Sequence, residues 1–373
     1  MSPRILCVDQ FPALGGGQRC LLDLLPAFVE RGWRVELALP GAGPFAEAAH
    51  TLGVRTHVLP LQLYSNLWKP PREVAKYATE LPKLAGMLSR IASSNQLDTF
   101  YVNGPRLLPA AALAAWYRRI PLVFHCHNRL QQTMAVRVTG QLLRLCCARV
   151  IGCCRYAVEP ISPYIRRERL SIVYNGVAAS PRGVNNLREN ILRIGVIGRI
   201  EPEKGQMDFV LAARTIYHHF PNCSFSVIGA PLFSGRTYFD QVVEASRGLP
   251  VDFPGWKTDI TSVLNSLDLL VVPSTHLDAT PRVIFEAFAA GVPVVALPVG
   301  GIPEIIEDGV TGFLAAEASS NSLADRVLSV LNLPPDDVRR VCRQALAAWE
   351  RRHTLNRFQE QVCDVLARTA RAA

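Results

Sequence analysis

The segment LDLLVVPSTHLDATPRVIFEAFAAGVPVVALP, residues 267–298, predicts a strand, a helix and a second strand in succession. Its two ends are apolar runs of strand length, and RVIFEAFAA between them has helical periodicity. Thr280 is predicted as the helix N-cap, Pro281 as the first helical residue and Gly291 as the terminator. A strand, a crossover helix and another strand indicate neighbouring parallel strands.

The same alternation extends over the rest of the chain. Strands are predicted in the first half at RILCVD (4–9), WRVELALP (33–40), VRTHVLP (54–60), LDTFYVN (97–103), IPLVFHCHN (120–128) and ARVIGCC (148–154). The pattern restarts at ILRIGVIGRI (191–200) and continues through CSFSVIGA (223–230) and VDFPGW (251–256). We therefore predict an α/β protein with two Rossmann-like domains that face a cleft.

The length of 373 residues is ordinary for two domains. The polar stretch AASPRGVNNLREN (178–190) is interpreted as the linker between them. A long helical stretch is expected from about Pro335, with a break near RRHT. The predicted division is residues 1–178, residues 179–352 and a C-terminal helix at residues 353–373, which is expected to pack back on the first domain.

Charge and hydropathy restrict the class of partner. The net charge of +9 suits an anionic partner, such as a phosphorylated ligand or an anionic membrane surface. No basic run is interleaved with aromatic residues, so nucleic acid is not expected. The N-terminus does not resemble a signal peptide, and no apolar run is long enough to span a membrane. We expect a cytoplasmic protein, at most peripheral on the membrane.

Two further features leave alternatives open. LQLYSNLWKPPREVAKY (61–77) combines aromatic and basic residues. It predicts either a lid or membrane-surface patch, or a buried loop followed by an amphipathic helix. Four of the ten cysteines lie in CCARVIGCC (146–154), which matches no zinc spacing. We interpret them as reduced thiols, and no metal is expected.

Ligands of open α/β sheets bind beyond the carboxyl ends of the strands, so the loops there hold the candidate residues. Gly16 and Gly17 follow the first strand and either let a phosphate approach the backbone or form a flexible turn. Arg199 and Lys204, in GRIEPEKGQ (198–206), suit a diphosphate. The alternative is a solvated turn in which nearby glutamates pair with both cations.

Two carboxylates accompany the helix of the opening segment. Asp278 precedes the helix and Glu286 lies inside it, with the backbone amides of Arg282 and Val283 between them. One of the two acids could bind sugar hydroxyls, and the other could bind a diol such as ribose. The backbone amides between them could bind an anion. Alternatively, Glu286 simply faces solvent.

Two histidines end a strand in VFHCHN (123–128). We interpret the spacing of His125 and His127 as placing one side chain on each face of the strand, so that at most one lines the cleft. The alternative is a satisfied, half-buried histidine.

Several of these motifs together resemble the retaining glycosyltransferases of family four. They are GRIEPEKGQ, DATPRVIFEAFAAGVPVVA (278–296), GGIPEIIEDGVTGFL (300–314), YNGV (174–177) and GGGQR (15–19). The resemblance implies the GT-B fold, a nucleotide-sugar donor held mainly by the second domain and a glycan, lipid-linked or small-molecule acceptor held mainly by the first. It also implies retention of configuration and neither cofactor nor metal, which agrees with the lack of a D-x-D motif.

The resemblance also implies roles for individual residues. Arg199 and Lys204 would neutralise the diphosphate, Asp278 would hold sugar hydroxyls and Glu286 the ribose. The remaining implied contacts are the backbone at Pro281 to Val283, with the N–H groups of Arg282 and Val283 as donors, facing phosphate or sugar, Gly16 and Gly17 with the diphosphate, His127 with the donor sugar, and Trp256 and Lys257 with the base. Asp278 stands where the family usually has glutamate, and DATP replaces the frequent EGFG, so the donor sugar stays open.

Three other functions compete with this one. A nicotinamide-dependent oxidoreductase would suit Rossmann-like domains, but the G-x-G-x-x-G fingerprint is missing. A nucleotide-sugar epimerase on the same fold would interconvert sugars without an acceptor. A non-catalytic nucleotide-sugar binding protein would bind the donor without transferring the sugar.

Overall fold

The computed structural model describes residues 2–60, 71–146, 148–180, 192–232, 235–275 and 278–371. Most of the linker predicted at 178–190 and of the segment at 61–77 lies outside these residues. The chain divides into two compact units, Met1–Tyr174 with Phe358–Ala373, and Asn175–Arg357. Each has its own parallel sheet with helices, as the alternation of strands and helices predicts.

The first unit is built on a seven-stranded sheet in the order β3-β2-β1-β4-β5-β6-β7. The strands are β1 (Arg4–Asp9), β2 (Arg34–Leu39), β3 (Arg55–Val58), β4 (Thr99–Asn103), β5 (Leu122–Cys126), β6 (Arg149–Gly152) and β7 (Leu170–Ile172). The helices are α1 (Gly16–Glu30), α2 (Pro44–Thr51), α3 (Pro71–Ser94), α4 (Leu108–Arg118), α5 (Thr133–Leu145) and α6 (Arg155–Val158).

The second unit is built on a six-stranded sheet in the order β10-β9-β8-β11-β12-β13. The strands are β8 (Leu192–Ile197), β9 (Cys223–Ile228), β10 (Val251–Gly255), β11 (Leu269–Val272), β12 (Val294–Ala296) and β13 (Phe313–Leu314). The helices are α7 (Gln206–His219), α8 (Arg236–Ala245), α9 (Ile260–Ser266), α10 (Arg282–Ala290), α11 (Ser320–Leu331), α12 (Pro335–Arg352) and α13 (Leu355–Arg371), whose residues from Phe358 onward belong to the first unit.

Both sheets are wound outward from a central strand. In the first unit the strand order reverses between β1 and β4, and in the second between β8 and β11. Such a switch point leaves a crevice at the carboxyl ends of the two central strands, which is where ligands of this architecture bind. The predicted strands are confirmed. Strands β7 and β13 were not predicted, because they have only three and two residues, too few to show a periodic pattern.

The end of the chain packs into the first unit. Phe358, Val362 and Leu366 of α13 are buried, and Gln359 Nε2 donates to the carbonyl oxygen of Asp23 at 2.6 Å. The predicted break between the last two helices is confirmed at His353 and Thr354. None of the helices in the described part of the chain combines the length and the apolar character needed to cross a bilayer.

Two glycines of the second unit let its carboxyl-end loops touch. Gly205 has φ +70°, and a Cβ there would lie 1.8 Å from the carbonyl oxygen of Pro273. Gly300 has φ +62°, and a Cβ there would lie 2.0 Å from the carbonyl oxygen of Asp278. The loops that follow β8, β11 and β12 therefore meet backbone to backbone.

We expect Gly205→Ala to destabilise the protein more than Gly309→Ala. Gly309 has the same φ of +70° but open space around its α-carbon, so alanine there meets only backbone strain. Strain of that kind costs about 1 kcal/mol, whereas the clash at Gly205 should add about 2 kcal/mol or more. Urea unfolding of both variants measures the difference, and equal midpoints would contradict the close loop contact.

Candidate functional site

A lysine–aspartate pair lies at the carboxyl edge of the second sheet, at its switch point. Lys204 Nζ is 2.5 Å from Asp278 Oδ2, which also accepts from Ser274 Oγ at 2.8 Å. The two side chains of the pair are 23% and 12% exposed, so the charges are partly shielded from water yet reachable. The amide of Gly301 donates to the Asp278 carbonyl at 2.9 Å, which fixes the backbone of the acid.

Arg199 lies in the same loop as Lys204. Its Nη2 is 3.4 Å from Glu203 Oε1, and its carbonyl accepts from Gln206 Nε2 at 2.7 Å. Glu201 is buried instead, where its Oε1 accepts from the amide of Leu232 at 3.3 Å. The alternative in which glutamates pair with both cations is therefore wrong for Lys204, whose acidic partner is Asp278.

Helix α10 begins one residue later than predicted. Pro281 occupies the N-cap position with ψ 111°, and Arg282 is the first helical residue. Thr280 therefore lies one residue before the cap, where its hydroxyl oxygen accepts from Asn175 Nδ2 at 2.8 Å. The predicted end is confirmed, since Gly291 takes the left-handed conformation with φ 65°.

Glu286 lies on the least buried side of α10. Arg282 Nε is 3.8 Å from Glu286 Oε1, and the two side chains are 16% and 23% exposed. Phe285 and Phe288 point into the core from the same helix. Arg282, Val283 and Glu286 therefore form the stripe of the helix that a ligand can reach.

Trp256 and Lys257 follow β10 and lie two strands from β8 along the same edge. The Trp256 side chain is exposed. The loops between these strands touch, because Gly229 donates to the Gly255 carbonyl at 3.1 Å, and a Cβ on Gly229 would lie 1.8 Å from the carbonyl oxygen of Gly198. The candidate residues of the second unit therefore lie along one continuous edge.

A hydrogen-bonded network holds His127 at the carboxyl edge of the first sheet. His127 Nε2 is 2.6 Å from Asn103 Oδ1. The amide nitrogen of Asn103 donates to Asp9 Oδ2 at 2.5 Å and to the Gly17 carbonyl at 3.1 Å. Because two acceptors fix the Asn103 amide, its oxygen faces the imidazole, so Nε2 of His127 carries the hydrogen.

The glycines at the start of α1 border this network. Gly15 is the N-cap, and Gly16 and Gly17 are the first helical residues. A Cβ on Gly17 would lie 3.3 Å from the His127 ring, whereas one on Gly16 would meet nothing within 4 Å. The structure therefore brings Gly17 and His127 together and leaves Gly16 open.

Asp9 and Asn103 were missed in the sequence. Each is the final, polar residue of an apolar strand, RILCVD and LDTFYVN, and that position was the available signal. Both are almost completely buried. Burial raises the pKa of Asp9 to about 6, and hydrogen bonds from Asn103, the Phe11 amide and Gln18 oppose the rise.

The prediction that His125 and His127 point to opposite faces is wrong. Their ring centroids are 4.0 Å apart, because residues two apart in a strand share a face. His125 is fully buried against the hydroxyl of Tyr101. Burial, together with the nearby His127, lowers its pKa well below the ordinary range. His125 is therefore a neutral core histidine, and His127 is the one nearer the edge.

The nine described cysteines are free thiols, eight of them buried. Burial raises the pKa of Cys126 and Cys342 to about 12, which makes these thiols poor nucleophiles. Cys147 lies outside the described residues. Within those residues, no three His, Cys, Asp or Glu side chains cluster as a metal site requires.

Comparison with known proteins places both units in one family. The family model for Glycosyltransferase Family 4 matches residues 14–180, and that for Glycosyl transferases group 1 matches residues 192–333. The chain belongs to this glycosyltransferase family. The matched regions contain Gly16, His127, Lys204 and Asp278, the residues around which both sites are built.

Curated proteins and solved structures of other glycosyltransferases resemble this chain in sequence and in fold. D-inositol 3-phosphate glycosyltransferases of Mycobacterium bovis and Mycobacterium tuberculosis are 32% identical over 186 residues, which span 48% of this chain and 37% of theirs. HepE of Anabaena, solved with UDP-glucose, is 25% identical with a TM-score of 0.81 over 98% of this chain and 99% of its own. Sucrose-phosphate synthase of Thermosynechococcus elongatus is 17% identical with a TM-score of 0.78 over 99% of this chain and 100% of its own. The GT-B fold is thereby established.

Proposed function

We propose that the chain transfers a sugar from a nucleotide-diphosphate sugar to a glycan, lipid-linked or small-molecule acceptor with retention of configuration. The observation that carries the proposal is the Lys204–Asp278 pair at the switch point, between the β8 loop and the start of α10. It combines a cation for a diphosphate with an acid for sugar hydroxyls. The UDP-glucose bound by Anabaena HepE supports a uridine nucleotide.

The leaving nucleotide gains negative charge as the glycosidic bond to phosphate breaks. Lys204 and Arg199 are the cations that stabilise this charge, and the first amides of α10 add the positive end of a helix. Glu286, on the accessible stripe of α10, holds the ribose diol. Asp278, with its carboxylate ordered by Ser274, holds hydroxyls of the transferred sugar.

The other candidate residues complete the donor contacts in this proposal. Gly16 and Gly17 offer backbone at the start of α1, and His127 contacts the donor sugar. Trp256, exposed after β10, stacks on the base, and Lys257 follows it. The exposed aromatic face is the feature that favours base stacking there.

We further propose transfer without metal or cofactor, in the cytoplasm, with a role in polysaccharide biosynthesis and peripheral contact with anionic membrane. Two cations in the β8 loop supply the charge that a divalent ion supplies to diphosphates elsewhere. Transfer should therefore continue at an unchanged rate in excess chelator. Complete loss that added magnesium restores would contradict the metal-free mechanism.

The test of the proposal is a thermal-shift screen with UDP, GDP, ADP and their common sugar conjugates. A ligand at a hundredfold excess over its dissociation constant stabilises the folded state by about 2.7 kcal/mol, so the correct nucleotide should raise the midpoint clearly. No shift with any of them would contradict a donor site.

Product analysis then separates the alternatives: an epimerase interconverts nucleotide sugars without acceptor, and a binding protein leaves them unchanged. An α-linked product from an α-linked donor would establish retention.

A further inference from the structure

The positive charge of the chain is concentrated in one stretch. Residues 99–158 contain eight arginines and no aspartate, glutamate or lysine, so they carry a charge of +8. The whole chain carries +9. This stretch runs from β4 to α6 of the first unit and includes α4 and α5.

Helices α4 and α5 lie side by side on one face of the first sheet. They connect β4 to β5 and β5 to β6, which are consecutive neighbours in the sheet. Right-handed crossovers in the same direction place both helices on the same face. The thiol of Cys146, just after α5, is 3.4 Å from the Ala112 carbonyl of α4, which confirms that the helices adjoin.

The outward sides of both helices expose large apolar residues. Trp116 and Tyr117 on α4 are 70% and 74% exposed, and Met134 and Leu145 on α5 are 69% and 72% exposed. On α5 the exposed apolar positions Met134, Val138 and Leu145 recur at helical spacing, which makes them a stripe rather than scattered residues. The opposite side of α5 is tightly packed, because a Cβ on Gly140 would overlap the ring of Tyr164.

Arginines border these apolar side chains. Arg119 follows α4, and Arg137 and Arg144 lie on α5, all of them exposed. None of the three takes part in an ion pair within the described residues. We call this surface, formed by Trp116, Tyr117, Met134 and Leu145 with Arg119, Arg137 and Arg144, the α4–α5 face.

We infer that the α4–α5 face docks on the surface of an anionic lipid bilayer. Aromatic and aliphatic side chains enter the interfacial region, and the arginines bind the lipid phosphates. A second copy of this chain fits less well, since the face would meet its own positive charge. An acidic glycan would pair with the arginines but leave the exposed methionine and leucine in water.

The role of this docking rests on the proposed function, because binding to a bilayer would bring the chain to a lipid-linked acceptor. Helix α5 begins six residues after His127, at the carboxyl edge of the first sheet. A bilayer bound along α5 therefore reaches the same edge at which His127 lies.

The experiment is sedimentation of the purified chain with vesicles of phosphatidylcholine alone, or of phosphatidylcholine and phosphatidylglycerol in equal parts. We expect binding to the anionic vesicles only. Each basic residue at such a surface contributes about a fivefold factor, so Arg137→Ala with Arg144→Ala should weaken the partition about 25-fold. Arg343→Ala with Arg351→Ala, which removes two exposed arginines of α12, is the matched control and should retain binding.

The apolar part is tested by salt. Salt screens the arginines but not the insertion of Trp116 and Tyr117, so part of the binding should survive high salt. Trp116→Ser with Tyr117→Ser should remove that part. The inference is overturned if the control variant loses as much binding as the α5 variant, if heparin is bound and anionic vesicles are not, or if the face mediates self-association instead.

The UDP-induced thermal shift is measured on the same samples. A normal shift in a variant that no longer binds vesicles shows an intact fold and donor site. Absence of vesicle binding with a normal shift in the unmodified chain would refute the docking face and the proposed membrane contact, and would leave the proposed sugar transfer standing. Vesicle binding without any nucleotide shift would refute only the proposed function.

Discussion

Replacing Lys204 with alanine should reduce sugar transfer by about a hundred- to a thousandfold, the range for removing one preorganised charge partner of a developing anion. The ammonium group lies 2.5 Å from Asp278 Oδ2 at the switch point of the sheet, the place where ligands of this architecture bind. Nucleoside diphosphate binding should weaken as well. The kcat/KM of the variant and its UDP-induced thermal shift measure the two effects.

Lys204→Arg is the control that keeps the charge. If charge alone matters, the arginine variant should recover most of the binding, and if the short contact to Asp278 also matters, transfer should stay impaired. Arg199→Ala should reduce transfer in the same direction. Unchanged UDP binding by both alanine variants would remove the assignment of these cations to the diphosphate.

The two acids should respond differently from each other. Asp278→Asn leaves Lys204 without its carboxylate partner, so UDP should bind at least as tightly while sugar transfer falls. Glu286→Gln should weaken UDP binding, because the ribose diol loses a charged acceptor. If both variants behave alike, the division between sugar and ribose is wrong. A double-mutant cycle of Lys204 and Asp278 gives the coupling that the contact predicts.

The sequence was sufficient to predict the strands and the parallel α/β architecture of each domain, but not the side-chain contacts at the edge of each sheet. Apolar runs such as RILCVD and LDLLVVPS predict β1 and β11 because burial on both faces of a parallel sheet demands continuous hydrophobicity. The partner of Lys204 was not predictable, because Asp278 is 74 residues away and local spacing favours Glu201 and Glu203.

The network around His127 shows the same limit. Asp9 and Asn103 are 94 residues apart and meet only because β1 and β4 are neighbours across the switch point. The partner of Thr280 was not predictable for a similar reason, since Asn175, which donates to its hydroxyl, lies 105 residues away. Local sequence preference predicts the helices and strands, whereas hydrogen bonds between residues far apart in the sequence become visible only in the folded structure.

Asp9→Asn should reverse the tautomer of His127 and reduce transfer by about ten- to a hundredfold, as replacing an outer partner that orients a functional histidine does. The new amide can present its nitrogen to Asn103, which must then rotate to offer its oxygen. That rotation turns the Asn103 side-chain nitrogen toward His127 Nε2, so Nε2 must lose its hydrogen in order to accept. The same rotation turns the Asn103 oxygen toward the Gly17 carbonyl. Gln18→Leu is the control, because it removes one hydrogen bond to Asp9 and leaves Asn103 in place.

The same substitution should change how stability depends on pH. Burial raises the pKa of Asp9 to about 6, so between about pH 4 and pH 6 the folded state binds more protons than the unfolded state. Stability from this group is present at low pH and is lost as the pH rises through that window, by about 3 kcal/mol in total. In Asp9→Asn this loss of stability should disappear. Urea unfolding midpoints of both proteins, at about pH 4.5 and about pH 7.5 on either side of the folded-state pKa, would measure the difference.

Nitrogen chemical shifts of the imidazole report the tautomer directly. In the unmodified protein the protonated nitrogen of His127 should be Nε2, because Asn103 Oδ1 faces it at 2.6 Å, and in Asp9→Asn it should be Nδ1. His127→Gln identifies the signals. If transfer falls in Asp9→Asn while the tautomer stays the same, the loss comes from packing around β1. If the tautomer reverses and transfer is unaffected, the His127 ring does not contact the donor sugar through its nitrogens.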